Sequence, residues 1–205
     1  MRLQLIFLII VVHLISSRAY AGKHVIIMGG GGAPESSEST LFDPSVKNIG
    51  NFLQNSQWDT QIIFNGGHSQ TEAIIKEKFA KANMADSFSS KNFNSLLDSY
   101  EKKISKGQIK AGEQLLILID SHGAPKQNDE LTHQIASTPA PINTTSTDKQ
   151  TDLVSLDRLK KISELALQKN IKLAIVDLSC HSGNTQSLSN KNTCVISATG
   201  AEHLA

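Results

Sequence analysis

Short runs rich in Val and Ile alternate along this chain with longer stretches of helical period, and that alternation constrains the fold more than any other feature. The apolar runs are His24–Met28 (HVIIM), Thr60–Phe64 (TQIIF), Gln114–Ile119 (QLLILI), Lys172–Asp177 (KLAIVD) and Cys194–Ser197 (CVIS), each bounded by turn residues. Helical patterns lie between them, over Pro44–Gln54, Thr71–Lys81, about Asn92–Ser105 and Leu156–Lys169. In the last of these Leu156, Leu159, Ile162 and Leu165 fall on one face, Ser155 or Asp157 can cap the start, and Asn170 can end it. Five strands alternating with helices predict an α/β fold, a mostly parallel sheet with helices on both faces.

The front of the chain sets the compartment. Residues 1–21, MRLQLIFLIIVVHLISSRAYA, carry an early arginine, an apolar run from Leu3 to Ile15 and the small-x-small site Ala19-Tyr20-Ala21. A membrane span needs roughly 20 apolar residues; this run is shorter and interrupted by Gln4 and His13, so it reads as a cleaved secretory signal peptide. Residues 22–205 are then expected to be one extracytoplasmic domain, secreted or periplasmic, with no membrane contact after cleavage. A formal charge of +1 and few aromatic residues offer neither a basic stripe nor stacking platforms, which excludes a nucleic-acid partner.

Two cysteines in an oxidising compartment suggest a disulfide between Cys180 and Cys194. The expected sheet argues against it. Cys180 lies just past the C-terminal end of its strand and Cys194 opens the next. Parallel neighbours separate them by a strand length at about 3.3 Å per residue, whereas a bridge needs Cα atoms within about 7 Å.

Open parallel sheets gather their chemistry at the C-terminal strand ends. There the strand 114–119 runs out into Asp120-Ser121-His122-Gly123, and the strand 172–177 into Leu178-Ser179-Cys180-His181-Ser182-Gly183. If these strands are neighbours, about 4.8 Å apart, the His122 imidazole and the Cys180 thiol share one cleft. Such a pair suits nucleophilic acyl transfer: the thiolate attacks an amide carbonyl while the imidazole moves the proton. Backbone N–H groups of Gly123 and Cys180 are the candidate donors to the oxyanion, and small Ser182 and Gly183 keep the sulfur approachable.

These two stretches resemble the caspase–hemoglobinase fold of cysteine peptidases. DSHGAPK (Asp120–Lys126) is similar to the Asp-His-Gly-Ala-Pro-Gly pattern of the legumain branch, and DLSCHSG (Asp177–Gly183) to the Asp-Ser-Cys-His-Ser-Gly of metacaspases. The resemblance implies a three-layer caspase-like fold and endopeptidase activity on a polypeptide substrate, with neither cofactor nor metal. His122 matches the catalytic histidine, Cys180 the nucleophile and Gly123 an oxyanion donor. The segment Val195–Glu202 matches the wall of the substrate pocket, with Ser197, Thr199 and Glu202 as candidate lining residues. Ser121 is an insertion relative to the legumain pattern. The family fold carries a sixth core strand, so a chain stopping at Ala205 is expected to be truncated after its fifth, its pocket completed by a missing C-terminal part or a partner chain.

Other features point elsewhere or remain structural. The glycine run Gly29–Gly32 follows the first strand as a phosphate cradle would, but Pro34 stands at the third fingerprint position and no Gly-Lys-Ser/Thr follows. His24, His68, His133 and His203 show no metal-ligand spacing. Lys126–Asp152 is polar and rich in Pro, Thr, Ser and Asn, the composition of a long loop flanking the cleft and open to self-cleavage or nicking. It contains the sequon at Asn143, meaningful in a eukaryotic secretory pathway. Three classes therefore stand at this point: a cysteine endopeptidase, an inactive interaction module or fragment of the same fold, and a nucleotide binder using Gly29–Gly32.

Overall fold

Each of the apolar runs forms a strand. The computed structural model describes residues 22–31, 40–65, 68–127, 129–138 and 152–203. The expected signal peptide, Gly32, the Asn143 sequon and most of the expected processing loop lie outside the described residues. The strands are β1 (Lys23–Gly29), β2 (Asp59–Phe64), β3 (Met84–Asp86), β4 (Gln114–Asp120), β5 (Gly123–Ala124), β6 (Gln134–Ser137), β7 (Asp152–Ser155), β8 (Lys172–Asp177) and β9 (Thr193–Ser197). The helices are α1 (Asp43–Leu53), α2 (Ser69–Lys78), α3 (Ser90–Ser105) and α4 (Leu159–Lys169). A 3₁₀ turn over Leu156–Arg158 leads into α4, and a second spans Ser182–Leu188.

The main sheet is six-stranded in the order β3-β2-β1-β4-β8-β9, and all of its pairings are parallel. Central β1 is buried on both faces, as a parallel strand between two helical layers requires. Its alternate side chains feed two cores. Ile26 and Met28 join Ile117, Ile119, Leu173 and Ile175 beneath Phe93, Leu97 and Ile162 of α3 and α4. Val25 and Ile27 join Ile62 and Phe64 beneath Val46 and Leu53 of α1 and Ile75 of α2. The fold is thus the expected three-layer α/β arrangement.

Around α4 the local signals behave as physical chemistry predicts. Leu156, Leu159, Ile162 and Leu165 are all buried. Ser155 caps the turn before α4, its Oγ accepting from Asp157 N at 3.3 Å. Asn170 ends α4 in the left-handed region at φ 55°, where its short polar side chain is tolerated.

Three points differ from expectation. Edge strand β3 adds a sixth member to the main sheet; at three residues it is too short to leave a periodic signal. The stretch Lys126–Asp152 is not one loop: Gln134–Ser137 forms β6, with Ile135, Ala136 and Ser137 buried. Strand β6 pairs antiparallel with β5 and β7 in a separate sheet of three strands. Four residues among polar neighbours gave no alternation long enough to register, and their burial comes from packing over the main sheet's C-terminal edge.

Candidate active site

Register places the two motifs side by side. Strands β4 and β8 are direct parallel neighbours, with Ile119 opposite Asp177. The turn that begins with Ser121 and the turn that begins with Leu178 therefore leave the sheet at the same edge and level.

In the first turn Ser121 is buried, and its Oγ donates to Ala136 O at 3.0 Å. The inserted serine thus ties the turn to β6. His122 is half-buried, and its carbonyl accepts from Ala136 N at 2.8 Å. Its ring meets Phe42 edge-on, with centroids 5.0 Å apart at 74°. Nε2 of His122 is buried without a hydrogen-bond partner. Because antiparallel pairs alternate between bonded and unbonded, the bond between His122 and Ala136 leaves the N–H of Gly123 directed away from β6. A β-carbon on Gly123 would lie 2.1 Å from the carbonyl oxygen of Cys180. The two turns touch backbone to backbone, and only glycine permits it.

The second turn hangs on Asp177, which is fully buried. Its Oδ1 accepts from Ser179 N at 3.1 Å and Ser179 Oγ at 2.6 Å, and its Oδ2 from Thr185 Oγ1 at 2.5 Å. Cys180 follows, half-buried, and His181 after it has φ 61°. A left-handed non-glycine residue directly after the candidate nucleophile turns the chain sharply. His181 Nδ1 faces Ala201 O at 3.1 Å, so that nitrogen carries the hydrogen and donates. Its backbone N–H donates to His203 O at 2.8 Å. The histidine next to the thiol is thereby tied into the fold.

Strand β9 lies beside β8 with Ser197 opposite Asp177. Ser197 reaches the same edge and accepts from Gln186 Nε2 at 3.1 Å. Thr199 is committed to Ser182, whose Oγ accepts from Thr199 N at 3.0 Å. Glu202 is exposed. Cys180 and Cys194 are not joined by a disulfide, in line with the strand-length separation expected of parallel neighbours.

The neighbouring electrostatics come from carboxylates. Burial pushes the Asp120 carboxyl above its ordinary range against a hydrogen bond from Ser45; the charge on Asp177 adds to the rise and His122 opposes it. Glycines 29 to 31 serve close packing here. A β-carbon on Gly29, at φ 139°, would lie 1.9 Å from Asp120 O, and one on Gly31 would lie 1.9 Å from Ala136 O. The N–H of Gly30 is spent on Asp120 O at 2.8 Å. Among the described residues no three His, Cys, Asp or Glu side chains are grouped to hold a metal ion.

Compared with protein-family models and with curated proteins, the chain matches none.

Some of the residues that shape this edge had no audible signal. Phe42 precedes α1 yet packs on His122. Fully buried His133, one of the histidines without ligand spacing, places Nε2 at 2.7 Å from Ser179 Oγ. Its only local hint is a position just ahead of Ile135 and Ala136, the short apolar pair of β6. A cavity of about 250 Å³ walled by Leu53, Trp58 and Phe79 lies between the ends of α1 and α2. Thr60, near the start of β2, also lines it, so it sits toward the opposite edge of the sheet from this chemistry.

Proposed function

We propose that this protein is a cysteine endopeptidase in which Cys180 is the nucleophile and His122 its acid–base partner. One observation carries the reading: the Ser121–Gly123 turn seats on the Cys180 backbone at the C-terminal edge of two adjacent parallel strands. In the proposed reaction the Cys180 thiolate adds to the scissile carbonyl, the N–H groups of Gly123 and Cys180 receive the oxyanion, and His122 protonates the departing amine. Water then releases the acyl group, with His122 taking its proton. The packing duties of Gly29, Gly30 and Gly31 favour this reading over a nucleotide cradle, since a β-carbon on each would strike a carbonyl oxygen or the Phe64 ring and the Gly30 N–H is spent on Asp120 O.

The test is hydrolysis of fluorogenic peptides carrying asparagine, aspartate, arginine, lysine or leucine before the scissile bond. Turnover by the purified protein, abolished by Cys180→Ala, is the expected outcome, and it names the specificity at the same time. A folded parent that cleaves none of the five would sink the peptidase and leave the inactive interaction module.

A further inference from the structure

We propose that His133 is a positioning residue for Cys180, and that the segment Thr132–Ala136 sets the distance between the imidazole and the thiol. The inference rests on the peptidase reading above and adds a residue to it.

Proton counting fixes what His133 does. The single hydroxyl hydrogen of Ser179 goes to Asp177 Oδ1 at 2.6 Å, so Ser179 Oγ can only accept from His133 Nε2 at 2.7 Å. His133 is therefore an N–H donor to the residue directly before Cys180. Its Nε2 also lies 3.5 Å from Asp177 Oδ2, and both side chains are 0% exposed. A donor and acceptor so enclosed have no water to fall back on, so losing one leaves the other unsatisfied.

The same segment holds the other side of the site. Three residues after His133, the N–H of Ala136 binds His122 O at 2.8 Å and its carbonyl receives Ser121 Oγ at 3.0 Å. At its start the segment is anchored to the entrance of α4: Thr132 N and Thr132 Oγ1 each donate to Asp157 Oδ1 at 2.7 Å. One short length of chain thus grips the cysteine turn with a side chain and the histidine turn with its backbone. Nothing else in the mechanism uses His133.

The experiment takes a Cys194→Ser background, so that Cys180 is the only thiol. Peptide hydrolysis and the rate of Cys180 alkylation by iodoacetamide are measured for the parent, His133→Leu, His133→Gln and Ser179→Ala, each with a melting curve. In His133→Leu, kcat should fall on the order of 100-fold, the scale of an ångström-level misplacement, with KM little changed and alkylation several-fold slower. His133→Gln, whose amide N–H can still reach Ser179, should recover most of both; Ser179→Ala should reproduce the loss. Parent-like kcat and alkylation in folded His133→Leu would overturn the proposal. So would a folded His133→Gln that recovers nothing. If His133→Leu does not fold, Ser179→Ala and His133→Gln decide by the same criteria. A parent without hydrolysis refutes the peptidase reading alone, because the alkylation rates still show whether His133 sets the state of the thiol.

Discussion

Gly123 is the position where the histidine turn meets the cysteine turn with no room for a side chain. A methyl group there would meet Cys180 O at 2.1 Å, and the obstructing atoms are backbone. Gly123→Ala is expected to destabilise the protein by about 1–3 kcal/mol, the usual cost of overpacking, and to lower peptide hydrolysis more than the melting temperature alone accounts for. A kinetic and melting comparison with the parent checks it. Tyr100 presents the opposite case: it is 0% exposed and its hydroxyl has no hydrogen-bond partner. Removing an unsatisfied buried hydroxyl relieves a desolvation cost of about 1 kcal/mol or more. Tyr100→Phe should leave the unfolding midpoint in urea unchanged or raise it, and a clear drop would show that the hydroxyl has a partner after all. Histidine readings divide along the same line. The motif singled out His122 as a candidate, whereas His133 was one of several histidines with no spacing, because its contact with Ser179 spans 46 residues of chain.

At the scale of the element, α3 buries Phe93, Leu96, Leu97, Tyr100 and Ile104 in the core. Its start is fixed by Ser89, whose Oγ accepts from Asn92 N at 3.2 Å. Ser89→Ala is expected to cost about 1 kcal/mol, read as a lower denaturation midpoint with unchanged slope. Strand β1 is held at its opening end as well as in its core. His24 lies between Asp59 Oδ2 at 3.1 Å and Glu113 Oε2 at 3.3 Å, joining the starts of β1, β2 and β4. Strong apolar runs made these long elements legible. The short ones, β3, β5, β6 and β7, were not, since two to four residues cannot display a period and their pairing is chosen by the surface they land on.

Over the whole molecule, acid should act through groups that resist protonation when folded. Full burial pushes His133 below its ordinary value; Asp177 pulls it up, His181 adds to the fall and Glu130 opposes it. Between that lowered value and the ordinary one of about 6.5, the unfolded chain binds a proton that the folded chain refuses. Stability therefore declines as pH drops below about 6.5. For Glu113, burial raises the carboxyl, but the Lys110 N–H and His24 hydrogen bonds outweigh it, and the net value is depressed. Asp157 behaves alike: burial is overcome by hydrogen bonds from Thr132 and Leu131. Both contribute stability present above ordinary carboxylate values and lost as pH falls through the folded ones. Asp120, raised by burial, runs the other way and offsets part of that loss on acidification. Melting curves from neutral to acid pH should show the decline starting near the histidine range, and His133→Gln should delay its onset to the carboxylate range. An unchanged onset in that variant would assign the early decline to another group.

The class of fold was written in the chain's periodicity, because a side chain's burial leaves a local trace: alternate or continuous apolar residues for strands, a stripe for helices. The two motifs were equally local, each a few residues at the end of one run. Which strands became neighbours was not local. The order β2-β1-β4-β8-β9, which sets Gly123 on Cys180, is a choice among surfaces that the pattern of any single segment cannot express. The same holds for Phe42 on His122 and for His133 beneath the cysteine turn: periodicity reports that a residue is covered, while packing alone decides what covers it.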